Sequence, residues 1–379
     1  MYTILARGLN VLRETAIMPQ LVNQGYSLTP ARKGQTVNVP YSKAKTTYDV
    51  TPSNTLLSPA DSAPATIPIA LNNWKGVNFY LTDKERTQIM KEDNFLPLET
   101  AEAMRALGNV VNSNLLSLYT KVYGYVGTAG TTPFSNSTDR TATKDATLLA
   151  TKLNDQLCPK SNRQAVVDSA AEAEMLALPQ FANLDKSGDS QVVTEATMGR
   201  KYGFNWHSEN AIVTHTAGVP GGTPLVNGAH AADATARSDT LAVDGMTITT
   251  GTYLAGDVIT VAGHSQTYTV LADATANGSG EATLSIAPGL QAAVADNAAV
   301  TLKASHVVNL GFHPQAFALA TAPFEADLND NPNVWLKDPV TGLVVRLEIM
   351  RQYKQTVWEF DILWGSECVR PEFASRLAG

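Results

Sequence analysis

Between Pro97 and Val126 the apolar residues Met104, Leu107, Val111, Leu115, Leu118 and Val122 recur at steps of three and four, the spacing that lines one face of an α-helix. Pro97 suits a first turn, where its missing N–H has no partner to lose, and Glu99 and Glu102 suit the positive N-terminal end. Lys121 suits the other end, and Gly124 and Gly127 supply the stop. About 25 helical residues span roughly 38 Å, so the pattern predicts a spine on which flanking segments are laid.

The segments before the spine differ from it. Ile4, Leu5, Leu9, Leu12 and Ile17, with Arg7, Arg13 and Glu14 between them, predict a short amphipathic helix interrupted by Pro19, an arm that docks on something. From Thr29 to Leu81, Pro30, Pro40, Pro52, Pro59, Pro64 and Pro68 recur among short β-favouring runs such as Thr36–Val39 and Ile67–Leu71. Proline donates no ladder hydrogen bond, so this stretch reads as an edge hairpin or extended loop and not as a central sheet. Thr82-Asp83-Lys84-Glu85 fits a capping box that opens a helix to about Glu92.

Beyond the spine, a polar loop, Thr128–Ser137, leads to a predicted helix over Lys144–Leu157, closed by Pro159. Gln164–Asp168 reads as a buried strand, with Ser169 capping a helix over Ala170–Leu178. The Gly-punctuated run Thr197–His207 leads into a strand through Val213. Val219-Pro220-Gly221-Gly222-Thr223-Pro224 marks a boundary. Short β-like runs follow at Met246–Thr249, Asp257–Ala262, Thr267–Leu271, Glu281–Ile286 and Ala299–Lys303, the pattern of a small barrel or sandwich. A strand at Val307–Gly311, a short helix after Pro314 and strands at Leu343–Glu348 and Thr356–Leu363 complete the chain, the last predicted to be heavily buried and to end the sheet. No fixed-period repeat is present.

At 379 residues the chain exceeds what one core usually organises, so two or more domains are expected. A net charge of −7 argues against a general nucleic-acid binder and leaves local patches open. Those patches have opposite sign. Over Met1–Asn54 six basic residues (Arg7, Arg13, Arg32, Lys33, Lys43, Lys45) face two acidic ones (Glu14, Asp49), a net of +4. Over Val219–Ser305 two basic residues (Arg237, Lys303) face seven acidic ones (Asp233, Asp239, Asp244, Asp257, Asp273, Glu281, Asp296), a net of −5. An extended basic arm calls for an acidic partner: nucleic acid, another protein or another copy of the chain.

Cys158 and Cys368 are too few for a disulfide framework and lack metal-ligand spacing. No apolar run reaches the 18 or more residues of a membrane span, and Met1–Arg13 lacks a signal peptide's basic start and apolar core, so synthesis in the cytoplasm is expected.

The search for catalytic chemistry is empty. Gly263-His264-Ser265-Gln266-Thr267 approaches a nucleophile elbow, but Thr267 replaces the last glycine and the flanks are strand, turn, strand, so it reads as a hairpin turn. The histidines at 207, 215, 230, 264, 306 and 313 form no zinc signature. Asp185–Ser190 misplaces its glycine for an EF-hand, and Ala196 stands where the bidentate Glu belongs. No phosphate loop or dinucleotide fingerprint is present.

Several stretches, in order, resemble tailed-bacteriophage major capsid proteins of the type with an inserted β-domain. They are Ile4–Arg7, Leu12, Leu21-Val22-Asn23, Tyr26 and Lys33–Pro40; Met198–Phe204; Asn309–Ala318; and Trp364-Gly365 with Arg370-Pro371-Glu372. The resemblance implies an α+β chain with the Hong Kong phage capsid fold: an N-terminal arm (1–28), an extended loop (29–81), the spine helix with part of a peripheral domain (82–160), an axial domain in two parts (161–218 and 306–342), an inserted small β-barrel (219–305) and C-terminal peripheral strands (343–379). It implies hexamers and pentamers of this chain that close into an icosahedral virion shell, around double-stranded DNA held non-specifically. Scaffolding and portal proteins, and a decoration protein, are the implied further partners; no membrane, cofactor, metal or catalytic residue is. The arm-and-loop cations Arg32, Lys33, Lys43 and Lys45 are candidates to approach acidic surface on an adjacent copy. Asp233 and Asp239 are candidates on the insertion, where Ala229–Asp239 is the best candidate for a loop bridging capsomers.

Three other readings stay open at this level. A bacterial compartment (encapsulin-like) shell protein would share the fold and enclose a cargo enzyme. A β-rich adhesin would explain Thr240–Lys303, and a hydrolase would use Ser265.

Overall fold

The computed structural model describes residues 2–25, 34–41, 47, 65–85, 95–135, 143–182, 198–234, 236–323 and 333–379. The spine is the helix Phe95–Ser117, continued by a tighter turn over Leu118–Lys121. It starts before Pro97 and stops short of the predicted end, because Gly124–Gly127 leaves it as a strand. That strand runs parallel to the C-terminal strand Ala374–Ala378. The approach is close: a Cβ on Gly127, whose φ is +102°, would lie 2.4 Å from the Ala378 carbonyl oxygen, so only glycine fits there. Met104, Leu107, Val111, Leu115 and Val122 are buried as the stripe predicts, and Leu118 is half-buried.

The arm docks on its own spine. Its helices, Tyr2–Thr15 and Ile17–Leu21, bury Leu5, Leu9 and Leu12 in the same core as Met104, Leu107 and Val111. Each buried leucine contributes about 1.5–3 kcal/mol, which holds in place a 14-residue helix that would be marginal alone. Asn112 of the spine clamps the turn between the two helices: its Nδ2 donates to the Thr15 carbonyl at 2.8 Å and its Oδ1 accepts from the Met18 N–H at 3.2 Å. Arg13, one of the cations that called for an acidic partner, finds it inside the chain, its Nε donating to Asp338 Oδ1 at 2.6 Å.

A seven-stranded central sheet lies beside the spine's C-terminal end. Its order is Gly124–Gly127, Ala374–Ala378, His306–Phe312, Arg163–Val167, Phe204–Ser208 and Arg200–Lys201, with Thr214–His215 paired to the start of His306–Phe312. Arg163–Val167 is interior to the sheet and wholly buried, which explains its continuous apolar reading. The following helix, Ser169–Leu176, is capped by Asp168, which accepts from the Ala170 N–H at 3.3 Å; Ser169 is its first residue and not its cap. Arg200–Lys201 and Phe204–Ser208 form a hairpin turned at Tyr202-Gly203, both at positive φ, the geometry of a two-residue hairpin turn. The strand ends at Ser208, short of the predicted Val213.

An outer sheet covers the spine. Gln355–Cys368 pairs with Val344–Gln352 on one edge and with Asn73–Thr82 and Phe317–Thr321 in series on the other; Asn333–Lys337 lies beyond Val344–Gln352. Val345, Leu347, Trp358, Phe360 and Ile362 face the main core. Two expectations change here. Asn73–Thr82, expected within the extended loop, is a ten-residue sheet strand. The predicted final strand is the penultimate one, since the chain continues to Ala374–Ala378 in the central sheet. Thr36–Tyr41 and Ala65–Ala70 do form a two-stranded hairpin, and Val39, Ile67, Ile69 and Leu71 pack with Ala318, Ala320 and Leu363. The capping box is present in full: the Thr82 N–H donates to Glu85 Oε2 at 3.0 Å while the Glu85 N–H donates to Thr82 Oγ1 at 3.4 Å. The predicted continuation to Glu92 lies outside the described residues.

Residues 219–305 carry a core of their own, with Val226, Leu241, Val243, Tyr253, Ile259, Tyr268, Leu284 and Ile286 at its centre. Six strands run in the order Val300–Leu302, Val258–Val261, Thr267–Val270, Ala282–Ala287, Asp239–Asp244 and Leu225–Val226. A bridge from Leu225 to Ala299 returns the last strand to the first and closes the ring, removing its edges. Met246–Thr249, predicted as a strand, is a turn, with Gly245 and Thr249 at positive φ. Asp239–Asp244 is a strand the pattern did not pick out.

Candidate assembly interface

Of the residues singled out for contacts between copies, Arg32, Lys33, Lys43 and Lys45 lie outside the described residues. Asp233 is exposed and Asp239 half-buried. Both serve local backbone: Asp233 Oδ1 accepts from the Ala236 N–H at 3.2 Å, and Asp239 Oδ1 from the Thr240 N–H at 2.7 Å. The Ala229–Asp239 segment is anchored at several of its described residues. His230 bridges to Val294, the Asp233 N–H donates to the Leu290 carbonyl, and Arg237 donates to the Cys368 and Val369 carbonyls at 2.6 Å each.

The outer sheet presents a face to solvent that combines aromatic rings with carboxylates. Alternation along the strands puts Trp74 and Tyr80, then Glu359 and Asp361, then Arg346 and Glu348, then Trp335 on that side. Trp74, Tyr80 and Trp335 are 45%, 60% and 52% exposed. Arg346 forks onto Asp361, with Nε to Oδ1 at 3.0 Å and Nη2 to Oδ2 at 2.6 Å, and Trp74 Nε1 donates to the same carboxylate at 2.9 Å. Three carboxylates thus share one guanidinium. Burial, then the charges of Asp361 and Glu348, push the Glu359 carboxyl above its ordinary range.

Beneath the barrel lies a buried polar junction. Arg376, on the C-terminal strand and fully buried, donates from Nε to the Val122 carbonyl at 2.9 Å, from Nη1 to the Gly256 carbonyl at 2.6 Å and from Nη2 to Thr269 Oγ1 at 3.1 Å. One side chain therefore joins the end of the spine, the central sheet and the barrel. Its guanidinium sits 5.0 Å from the centre of the Tyr119 ring, and burial lowers its pKa to about 10, so it stays charged at neutral pH. His215 bridges Tyr119 Oη at 3.0 Å and Asp257 Oδ1 at 2.8 Å, while Asp257 also accepts from the Gly218 and Leu254 N–H groups. His306 donates from Nδ1–H to the Ala304 carbonyl at 2.8 Å and leaves Nε2 buried without a hydrogen-bond partner among the described residues. Burial, with Arg376 and His215 adding to it, brings the His306 pKa down to about 4. Thr267 and Thr269 of the barrel donate to the Tyr123 and Thr120 carbonyls at 2.6 and 2.9 Å. Sequence reasoning missed this junction; a lone Arg between Ser375 and Leu377 has no pattern that announces it.

Three of the stretches that carry the family resemblance meet in space. Asn23 donates to the Pro314 and Phe317 carbonyls, and Leu319 donates back to Asn23. Val369 and Arg370 donate to the Ala316 carbonyl, and His313 to the Phe373 carbonyl. Segments near residues 23, 315 and 370 thus form one node under the outer sheet. Nearby, the buried Asn309 Oδ1 accepts from the Asp168 N–H at 2.7 Å.

No group of three or more metal-binding side chains gathers among the described residues. Ser265 sits exposed in the hairpin turn between two barrel strands, and its neighbour His264 is engaged through Nδ1 with Tyr268 Oη at 2.7 Å, so these two do not form a serine–histidine pair. Cys158 and Cys368 are buried free thiols. No helix of the described residues is long and apolar enough to cross a membrane.

No protein-family model matches the chain. No curated protein matches it. Among solved structures, it resembles one from Mycobacterium phage Che8, at 12% identity over 91% of this chain and 85% of the other, with a TM-score of 0.47. The capsid structure of the cyanophage P-SCSP1u is similar at 14% identity over 94% and 86%, with a TM-score of 0.49. A virus-like particle from Pyrococcus furiosus is similar at 9% identity over 100% and 98%, with a TM-score of 0.45.

Proposed function

We propose that this chain is the major capsid protein of a tailed bacteriophage, a non-enzymatic subunit whose copies form hexamers and pentamers and close into an icosahedral head around double-stranded DNA. The observation that carries the reading is the node at Asn23, Pro314–Phe317 and Arg370: three of the stretches chosen for their family resemblance, the first of them nearly 300 residues before the other two, are physically one unit. The layout adds support. A long spine bears the arm on one side and an outer sheet on the other, and a separately cored barrel rises from its end. On this reading the axial domain comprises 161–218 and 306–342, the insertion is 219–305, and 82–160 with 343–379 make the spine and peripheral domain.

In such a shell, Arg32, Lys33, Lys43 and Lys45 reach the outer sheet face of an adjacent copy, where Glu348, Glu359 and Asp361 outnumber Arg346. Charge complementarity of this kind steers register and association rate more than it adds affinity. Scaffolding, portal and decoration proteins would be its other partners, the virion its location, and the host cytoplasm its place of synthesis. Light scattering of the purified chain tests the proposal: masses of five or six copies of 40.4 kDa, or of a closed shell, are expected. Replacing the four cations by Ser should slow assembly and flatten its salt dependence; a chain that stays monomeric at high concentration with scaffold present would overturn the proposal. Cargo enzyme in place of DNA inside the particles would shift the reading to a compartment shell.

A further inference from the structure

A cleft of about 460 Å³ opens between the spine-end strand, the helix Lys144–Asp155 and the foot of the barrel, and it is basic in an acidic protein. Lys144, Lys152 and Lys303 line it, with Asp155 the one carboxylate on its wall among the described residues. None of the three lysines forms an ion pair among the described residues. Lys303 holds its ammonium 5.7 Å from the centre of the Tyr125 ring, and burial keeps Lys152 below the ordinary lysine range, Asp155 only partly opposing it. Three cations on one concavity repel one another, a cost that an anion in the cleft would remove.

The same chain carries the complementary half. Asp273, Glu281 and Asp296 stand on the barrel's turns, each holding its own loop and none paired with a cation among the described residues. Asp273 accepts from the Ala255 N–H at 2.7 Å, Glu281 from Asn277 Nδ2 at 3.0 Å and Asp296 from the Gly228 N–H at 2.8 Å. These bonds fix the carboxylates as preformed anionic knobs and leave each with further acceptor capacity.

We infer that the lysine cleft receives an acidic turn from the barrel of a second copy. Cleft and turn are different surfaces, so the contact is heterologous, and repetition of a heterologous contact closes a ring when the rotation allows it. The barrel is then a clamp between neighbours within a capsomer. The inference rests on the shell reading and names one of its contacts.

The test is charge reversal with rescue. The triple variant Lys144→Glu, Lys152→Glu, Lys303→Glu should form rings or shells at least about tenfold more slowly than wild type at low salt, with circular dichroism confirming that it folds. Reversing one barrel acid in the same chain, Asp273→Lys, Glu281→Lys or Asp296→Lys in turn, should restore assembly for the turn that docks. A milder triple Lys→Gln variant covers any folding defect and should show the same slowing in smaller measure. Wild-type assembly of both triple variants at every salt concentration would overturn the inference and leave the shell reading standing. So would failure of all three rescues, or loss of inorganic polyphosphate binding with assembly intact, which would make the occupant a phosphate polyanion. Absence of any assembly by the wild-type chain would remove the shell reading and this contact together.

Discussion

Arg376→Met removes the side chain that joins spine, central sheet and barrel while nearly preserving its volume. The guanidinium makes three hydrogen bonds, to Val122, Gly256 and Thr269, and bonds from a charged donor contribute about 1.5–3 kcal/mol each. The desolvation of a fully buried cation opposes them. The substitution also strands acceptors in a dry junction, at about 1–3 kcal/mol for each buried group left unsatisfied. The net expected loss is about 3–5 kcal/mol, concentrated where the barrel meets the body. Because the barrel has its own core, the loss should appear as uncoupling. Calorimetry of the variant should resolve a barrel transition separate from the body, with the body's Tm lowered by about 5 °C or more. Hydrogen exchange at the junction amides, Gly256 and Asp257, should accelerate while that of Arg163–Val167 stays slow. A variant with one transition within about 1 °C of wild type would refute the reasoning, because the junction would then be redundant.

Two further outcomes follow from the same geometry. His306 has a folded-state pKa near 4 against an ordinary 6.5, so the unfolded chain binds the extra proton first, and stability should fall as pH drops from about 6.5 to 4 and level off below, by at most about 3 kcal/mol. Arg376 and His215 oppose a charge on that ring, Asp257 favours it, and Tyr125 packs edge-on against it; His306→Gln should flatten this part of the pH profile in urea titrations, and an unchanged slope would contradict the assignment. Gly311→Ala should destabilise by about 1–3 kcal/mol, since the new Cβ would meet Leu149 Cδ2 at 2.6 Å and Leu149 is fully buried; an unchanged midpoint in denaturant would show that the Lys144–Asp155 helix can shift away from the sheet.

What was legible in the sequence was what local patterning encodes. The spine's stripe, the buried strand read at Gln164–Asp168 and found at Arg163–Val167, and the Thr82–Glu85 capping box each depend on neighbours within a turn or a strand, and each is present. Most of the failures trace to pairing at long range, and one to local backbone conformation. Gly124–Gly127 read as a helix stop, but its partner is more than 240 residues away in Ala374–Ala378. Met246–Thr249 has the β-branched composition of a strand, yet positive φ at Gly245 and Thr249 makes it a turn. Asn112, which clamps the arm, and Asp338, which pairs with Arg13, are also distant from it in sequence. The lysine cleft was likewise hidden, since Lys144, Lys152 and Lys303 come from two elements that only the fold brings together.

The central claim is that copies of this chain build a shell, and negative-stain electron microscopy of the purified protein, with and without a co-expressed scaffold, addresses it most directly. The account predicts capsomer rings or closed particles of uniform diameter. Dispersed monomers at high concentration, in the presence of scaffold, would contradict it.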